Sequence, residues 1–197
     1  MTLADKITTS RLFLAPFFFV VYLLPVFFPV WFVGGSQWTV PVLWVLFIVS
    51  EISDMIDGKV ARSRKEVSDF GKLFDPFADT LVQITYFLVF VIDGIFPAVL
   101  FLVVLYREFS ILFIRNLMLK KGITMGARIG GKIKTVTYIA AGAVALLAVS
   151  AQRLGFVEPV FFVLQKGALT IFFISVIMSL ASFADYLSVY RKSGTEV

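Results

Sequence analysis

Two short acidic stretches decide how this chain is read: Asp54-Met55-Ile56-Asp57-Gly58-Lys59-Val60-Ala61-Arg62 and, eight residues later, Gly71-Lys72-Leu73-Phe74-Asp75-Pro76-Phe77-Ala78-Asp79. Each adjoins a long apolar run. Trp38 to Val49 carries no charge, and Phe74 to Ile92 carries only Asp75 and Asp79. On a helix, residues three or four apart are neighbours, so Asp54 and Asp57 share one face and Asp75 and Asp79 share another. Two consecutive spans joined by a short loop are expected to pack as an antiparallel pair, with both acidic pairs meeting at one end. Four carboxylates in such a space repel one another and partly protonate. Hard divalent cations remove that conflict, and all-oxygen ligation selects Mg²⁺, Mn²⁺ or Ca²⁺ over zinc or copper. The plainer alternative places the aspartates at the water interface, as helix ends paired with Arg62 or Lys72. Ionisable residues inside a membrane are by default candidates for function, and Gly58, Ala61 and Gly71 leave room between the two helices.

Outward from these stretches the whole chain is apolar. Of its 197 residues 59% are hydrophobic and only 16% charged, against about 45–50% and about 25% in soluble domains. That composition excludes a disordered chain, and the absence of cysteine and histidine excludes disulfide scaffolds, thiolate or imidazole metal sites and histidine catalysis. Six apolar segments of spanning length follow: about Arg11–Val33, Trp38–Val49 running on into Glu51, Asp54 and Asp57, Phe74–Ile92, Ala98–Leu119, Ile133–Ala151 and Gly167–Tyr190. Pro16, Pro25 and Pro29 fall inside the first, where kinks are expected. This first run exceeds the roughly 7–15-residue apolar core of a secretory signal peptide and reads as a span. Residues 2–10 could form a short amphipathic lead-in on the membrane surface. No internal repeat or second domain is visible, so residues 1–197 read as one all-α, six-helix membrane domain.

Lysine and arginine set the orientation. Lys6 and Arg11 precede the first span; Lys59, Arg62, Arg64, Lys65 and Lys72 lie between the second and third; Lys120, Lys121, Arg128, Lys132 and Lys134 lie between the fourth and fifth; Arg191 and Lys192 follow the sixth. The opposite connections hold only Arg153 and Lys166. The positive-inside rule then puts both termini in the cytoplasm. The net charge of +5 is thus an orientation signal and part of an anion site, and no nucleic-acid partner is expected.

The two acidic stretches together read D-x2-D-G-x2-A-R-x8-G-x3-D-x3-D over residues 54–79. This resembles the signature of the CDP-alcohol phosphotransferases, with all eight fixed positions at the family's spacing. The resemblance implies an integral-membrane six-helix fold, usually homodimeric, holding two divalent ions, Mg²⁺ or Mn²⁺, at the cytoplasmic side. It further implies that Asp54, Asp57, Asp75 and Asp79 hold the metals and that Asp79 also deprotonates the acceptor hydroxyl. Arg62 would bind the CDP pyrophosphate, while Gly58, Ala61 and Gly71 would admit cytidine and ribose. The physics is compatible with each role: a two-metal clamp stabilises a displacement at phosphorus, a carboxylate can serve as general base, and an arginine fork suits phosphate oxygens. Gly58 and Gly71 also suit plain helix packing in a membrane.

The second half bears on the acceptor. Arg107 and Arg115 lie eight residues apart on the fourth span, and Gly131-Lys132-Ile133-Lys134-Thr135 opens the fifth. A cluster of Arg107, Arg115, Lys132 and Lys134 could bind an anionic acceptor such as a phosphorylated polyol. Otherwise the lysines contact anionic headgroups and Arg107 pairs with Glu108 or another helix. Arg107-Glu108-Phe109, the later Arg115, the glycine–lysine run and Thr8-Thr9-Ser10-Arg11 are similar to a branch of the family that uses CDP-diacylglycerol and glycerol-3-phosphate. Other family acceptors are inositol phosphate, serine, or diacylglycerol receiving a CDP-linked alcohol. A cation-binding small transporter is a reading of another class, but such folds favour midplane sites and internal repeats; here the acids gather toward one face. A structural subunit without chemistry would leave the four carboxylates unexplained.

Overall fold

The computed structural model describes residues 3–28, 35–64, 69–120, 122 and 129–194. These form six helices in chain order: α1 (Leu3–Phe27), α2 (Thr39–Arg64), α3 (Asp69–Ile92), α4 (Ala98–Lys120), α5 (Ile129–Arg153) and α6 (Glu158–Gly194). Among the described residues there are no strands. Residues this apolar cannot leave backbone amides unpaired in lipid, and a helix satisfies them within one segment. α1, α3, α5 and α6 are each long and apolar enough to cross a membrane. The other two, α2 and α4, carry charged residues along their length: Glu51, Asp54 and Asp57 on α2, Arg107, Glu108 and Arg115 on α4.

The helix limits shift from the sequence expectations in ways that matter for the site. α1 begins at Leu3, so the lead-in expected over residues 2–10 is continuous with the first span. Pro16 and Pro25 lie within α1, whereas Pro29 lies outside the described residues. α2 carries the acids on a continuous helix to Arg64, in line with the helical spacing of Asp54 and Asp57. α6 starts at Glu158, well before the expected Gly167, because the apolar stretch Val160–Leu164 is helical too and Lys166 is a single charge within it.

The expected antiparallel α2–α3 pair touches through Phe47 and Tyr86, but it is not the main packing of either helix among the described residues. Both helices pack chiefly on α1, which lies against each of them. α5 packs most extensively on α6, and α4 contacts α3 and α6. The core between them is aromatic. Phe18 and Phe47 both pack on Tyr86, with ring centroids 4.6 and 5.3 Å away. Phe87 meets Tyr138 at 5.1 Å and Phe172 at 5.0 Å, and Phe96 stacks on Phe172 at 4.1 Å. On α5, Ala141, Ala145 and Ala148 are fully buried, the small residues that let membrane helices approach closely.

At the end of the bundle away from the acids, α3 and α5 stop in the same way. Gly94 and Gly155 adopt φ of +70° and +75°. Beyond them Ile95 N–H donates to Phe90 O at 2.8 Å and Phe156 N–H to Ala151 O at 2.9 Å. These are Schellman caps, which need a left-handed residue that glycine adopts without strain. Arg153, whose charge ran against the orientation pattern, is occupied here. It donates to Thr39 Oγ1 at 2.7 Å and to the Tyr22 carbonyl at 2.8 Å, with its guanidinium 4.6 Å from the Tyr22 ring centroid. The Tyr22 hydroxyl in turn donates to Asp93 Oδ2 at 2.5 Å. This polar clamp ties α1, α2, α3 and α5 together at that end.

Candidate active site

A cavity of about 280 Å³ opens toward the other end of the bundle, and every one of the six helices contributes to its lining. The first three helices supply Arg11, Glu51, Asp54, Asp79 and Gln83; α4 and α5 supply Arg107, Glu108, Arg115, Lys132 and Lys134; α6 adds Ser182 and Tyr186. Acids from one half of the chain and cations from the other therefore share one space.

On the acidic side the two helices meet through α1. Arg11 is buried, and its Nη1 lies 2.6 Å from Asp54 Oδ1 and 2.5 Å from Asp79 Oδ1. Thr8, one turn earlier, donates Oγ1–H to Asp75 Oδ1 at 3.0 Å. Asp54 and Asp79 line the cavity and remain partly exposed there, at 43% and 38% of their side-chain surface. Asp75 is held by Thr8 outside the lining. Asp57, Gly58, Ala61 and Arg62 lie on the last turns of α2, and their side chains fall outside the described residues. Gly71 is buried in the first turns of α3.

On the basic side the expected four-cation cluster divides in two. Arg107, Glu108 and Lys134 are buried together. Arg107 Nη1 donates to Glu108 Oε1 at 2.8 Å and its Nε to the Ser179 carbonyl at 3.0 Å. Lys134 Nζ reaches both Glu108 oxygens, at 3.0 and 3.2 Å, and lies 4.8 Å from the Tyr138 ring centroid. The plainer alternative for Arg107, a pair with Glu108, is what the structure shows, whereas Lys134 is buried in the bundle rather than turned to headgroups. Removing either partner from such a desolvated group is costly, because it strands a buried charge. Arg115 and Lys132 line the same cavity, and neither forms an ion pair with another described residue. They are the cations left available to an incoming anion.

Sequence reasoning read Arg11 as an orientation signal and as part of a branch resemblance, and placed neither Arg11 nor Glu108 in the site. The signals were present: Thr8 and Arg11 are spaced for one helix face, and Glu108 sits between apolar residues where an uncompensated carboxylate would be expensive. What the sequence lacked was their partners, 67 and 68 residues away for Thr8–Asp75 and Arg11–Asp79.

The acids provide only carboxylate oxygens, the donor type that suits hard divalent cations. Asp54 and Asp79 each bring an oxygen to one point, the position of Arg11 Nη1. Among the described residues no group of three acids is gathered closely enough to hold a metal ion; Asp57, the further acid on α2, is outside that set. The donor chemistry fits the divalent ions, with Asp54 and Asp79 lining the cavity and Asp75 held by Thr8 beside it.

Fold and cavity together define a multi-pass helical membrane protein with a two-signed polar site at one end of its bundle. Residues 1–181 match the family model of CDP-alcohol phosphatidyltransferases, and the chain belongs to that family. It is 37% identical over 196 residues to the CDP-diacylglycerol–glycerol-3-phosphate 3-phosphatidyltransferase of Treponema pallidum, covering 96% of this chain and 89% of that one. It is 34% identical over 147 residues to the enzyme of the same name from Bacillus subtilis, covering 74% and 76% of the two chains. A CMP-forming cardiolipin synthase of Streptomyces coelicolor is 32% identical over 125 residues, 62% of this chain and 54% of that protein.

Proposed function

We propose that this protein transfers the phosphatidyl group of CDP-diacylglycerol to glycerol-3-phosphate, releasing CMP and forming phosphatidylglycerophosphate in phospholipid biosynthesis. The observation that carries this reading is the division of one cavity between carboxylates and uncommitted cations. A reaction joining a pyrophosphate donor to a phosphorylated acceptor needs both. The names of the Treponema and Bacillus relatives support the choice of substrates.

In this reading Asp54, Asp57, Asp75 and Asp79 hold two Mg²⁺ or Mn²⁺ ions, which supply Lewis-acid stabilisation of charge on the phosphate oxygens. Gly58, Ala61 and Gly71 admit the cytidine, and Arg62 grips the pyrophosphate. Arg115 and Lys132 bind the acceptor phosphate, with Arg107 and Lys134 behind them, held in place by Glu108. Asp79 takes the acceptor's hydroxyl proton. The freed oxygen forms a bond to the phosphatidyl phosphorus as the bond from that phosphorus to the CMP oxygen breaks. CMP departs with that electron pair.

The same reading sets the molecule as six spans with both termini and the active site on the cytoplasmic side, a single domain over residues 1–197, functioning as a homodimer. The loop charges support that orientation. The test is an assay of detergent-solubilised protein with CDP-diacylglycerol and Mg²⁺ or Mn²⁺, offering glycerol-3-phosphate, inositol phosphate, inositol, serine and phosphatidylglycerol in parallel. Metal-dependent CMP release with phosphatidylglycerophosphate as the product is expected. Turnover with another acceptor and none with glycerol-3-phosphate would overturn the acceptor assignment, and no CMP release with any acceptor would overturn the reaction.

A further inference from the structure

Thr8 and Arg11 lie three residues apart on α1 and between them engage three acids on two other helices: Asp75 through Thr8, Asp54 and Asp79 through Arg11. A single nitrogen, Arg11 Nη1, makes both of the latter contacts, at 2.6 and 2.5 Å. The two carboxylate oxygens therefore stand no further apart than the sum of those distances. A hard divalent ion with metal–oxygen distances of about 2.0–2.6 Å spans the same gap when it bridges two carboxylates. The guanidinium is not a surface side chain that happens to fold over the acids. Arg11 is 2% exposed and is carried there by the packing of α1 against both α2 and α3.

Resting on the reading that Asp54 and Asp79 hold a divalent ion, we propose that Arg11 is a built-in counter-cation of the acidic site. It is a positioning residue that holds the carboxylates of α2 and α3 together and competes with the metal for the same two oxygens. One nitrogen and one metal ion cannot occupy the point between those oxygens together, and the two positive charges repel at that range. Loading the metal therefore displaces a buried guanidinium. The affinity of the site for the ion is set by that exchange as well as by the carboxylates. The arrangement also gives α2 and α3 a way to fold with part of their acidic charge offset, because an unpaired carboxylate cluster would drive the helices apart.

The experiment uses full-length protein in detergent without either substrate. Mn²⁺ binding is measured by the spin-resonance signal of free Mn²⁺, and thermal unfolding is followed with and without Mn²⁺. The proteins are wild type, Arg11→Gln, Arg11→Lys and Asp79→Asn. Arg11→Gln is expected to bind Mn²⁺ at least about tenfold more tightly than wild type. It should melt lower without Mn²⁺ and show a larger Mn²⁺-induced rise in Tm, as linkage requires. Arg11→Lys keeps the charge on a shorter stem, so its affinity should fall between the two. If Arg11→Gln does not fold, the Lys variant decides: affinity equal to or below wild type overturns the competition. Equal or weaker binding in Arg11→Gln overturns it as well. Mn²⁺ binding unchanged in Asp79→Asn would instead overturn the metal reading beneath the proposal. Product formation in the acceptor assay is scored separately from all of these.

Discussion

Lys134 and Glu108, 26 positions apart in the chain, form a two-pronged ion pair: the ammonium lies 3.0 Å from one carboxylate oxygen and 3.2 Å from the other. Arg107 shares the first of those oxygens at 2.8 Å. One acid thus fixes two cations, and the three side chains are buried as a unit of net charge +1.

The first prediction concerns that unit. Glu108→Ala leaves two cations buried without their acid and should destabilise the protein by about 3–5 kcal/mol. The double variant Glu108→Gln/Lys134→Met removes charge from both sides but leaves Arg107 without its acid, so it should recover only part of that loss. Thermal unfolding in detergent reads both. If the double variant regains stability while the KM for glycerol-3-phosphate stays raised, the unit positions the acceptor as well as supporting the fold.

Arg115 and Lys132 are expected to act mainly on the acceptor. A hydrogen bond to a charged group contributes about 1.5–3 kcal/mol, so Arg115→Ala or Lys132→Ala should raise the KM for glycerol-3-phosphate by about tenfold or more, with a much smaller change for CDP-diacylglycerol. Steady-state kinetics with each substrate varied in turn decides it; equal effects on both would count against the assignment.

Asp79→Asn keeps the size of the side chain but removes its ability to take a proton. Transfer should fall by about 10²-fold or more, in the range that general-base catalysis contributes, while the protein still inserts and still binds CDP-diacylglycerol. Near-normal turnover in this variant would remove Asp79 from the base role.

Arg153 should behave in the opposite way. Its bonds to Thr39 and the Tyr22 carbonyl lie at the far end of the bundle from the cavity. Arg153→Met should lower stability by about 1–3 kcal/mol through the lost charge-assisted hydrogen bonds and leave KM and kcat close to wild type. A Tm measurement beside the acceptor assay separates the two effects.

Packing offers a further test. A Cβ added at Gly142 on α5 would lie 3.3 Å from the Phe47 ring of α2. Gly142→Val should therefore overpack this contact and cost about 1–3 kcal/mol, visible as a lower Tm, whereas a larger residue at Gly131, whose added Cβ meets nothing within 4 Å, should not.

What the sequence disclosed follows the range of each interaction. Helical spacing is local, so Asp54 with Asp57 and Asp75 with Asp79 could be paired from their numbers alone, and the acid-bearing helices could be expected at one end. Arg107, Arg115, Lys132 and Lys134 all line the one cavity, but the pairing of Arg107 and Lys134 with Glu108 splits the expected cluster. The bridging role of Arg11 and the tethering role of Glu108 depend on which helix lies beside which. Short loops favoured α2 against α3, but α1 packs on both, and no local pattern in α1 announces that. Apolar periodicity likewise could not separate the early turns of α6 from a loop, since a run of large hydrophobics suits either.

The bond from Gln165 Nε2 to the Gly94 carbonyl, 3.4 Å long, aligns α6 with the turn between α3 and α4. From that level the helical rise of 1.5 Å per residue puts Asp79 at a distance of about 22 Å along α3 and Ser182 at about 26 Å along α6. A bilayer's hydrocarbon core is about 30 Å thick. In the proposed membrane arrangement, with the Gly94 turn at one surface, the cavity would lie just inside the other, where oil gives way to headgroups. A donor whose tails remain in the lipid can enter sideways, while a water-soluble acceptor arrives from the adjacent solution without crossing the membrane. In that arrangement the length of a helix sets where two substrates of opposite solubility can meet.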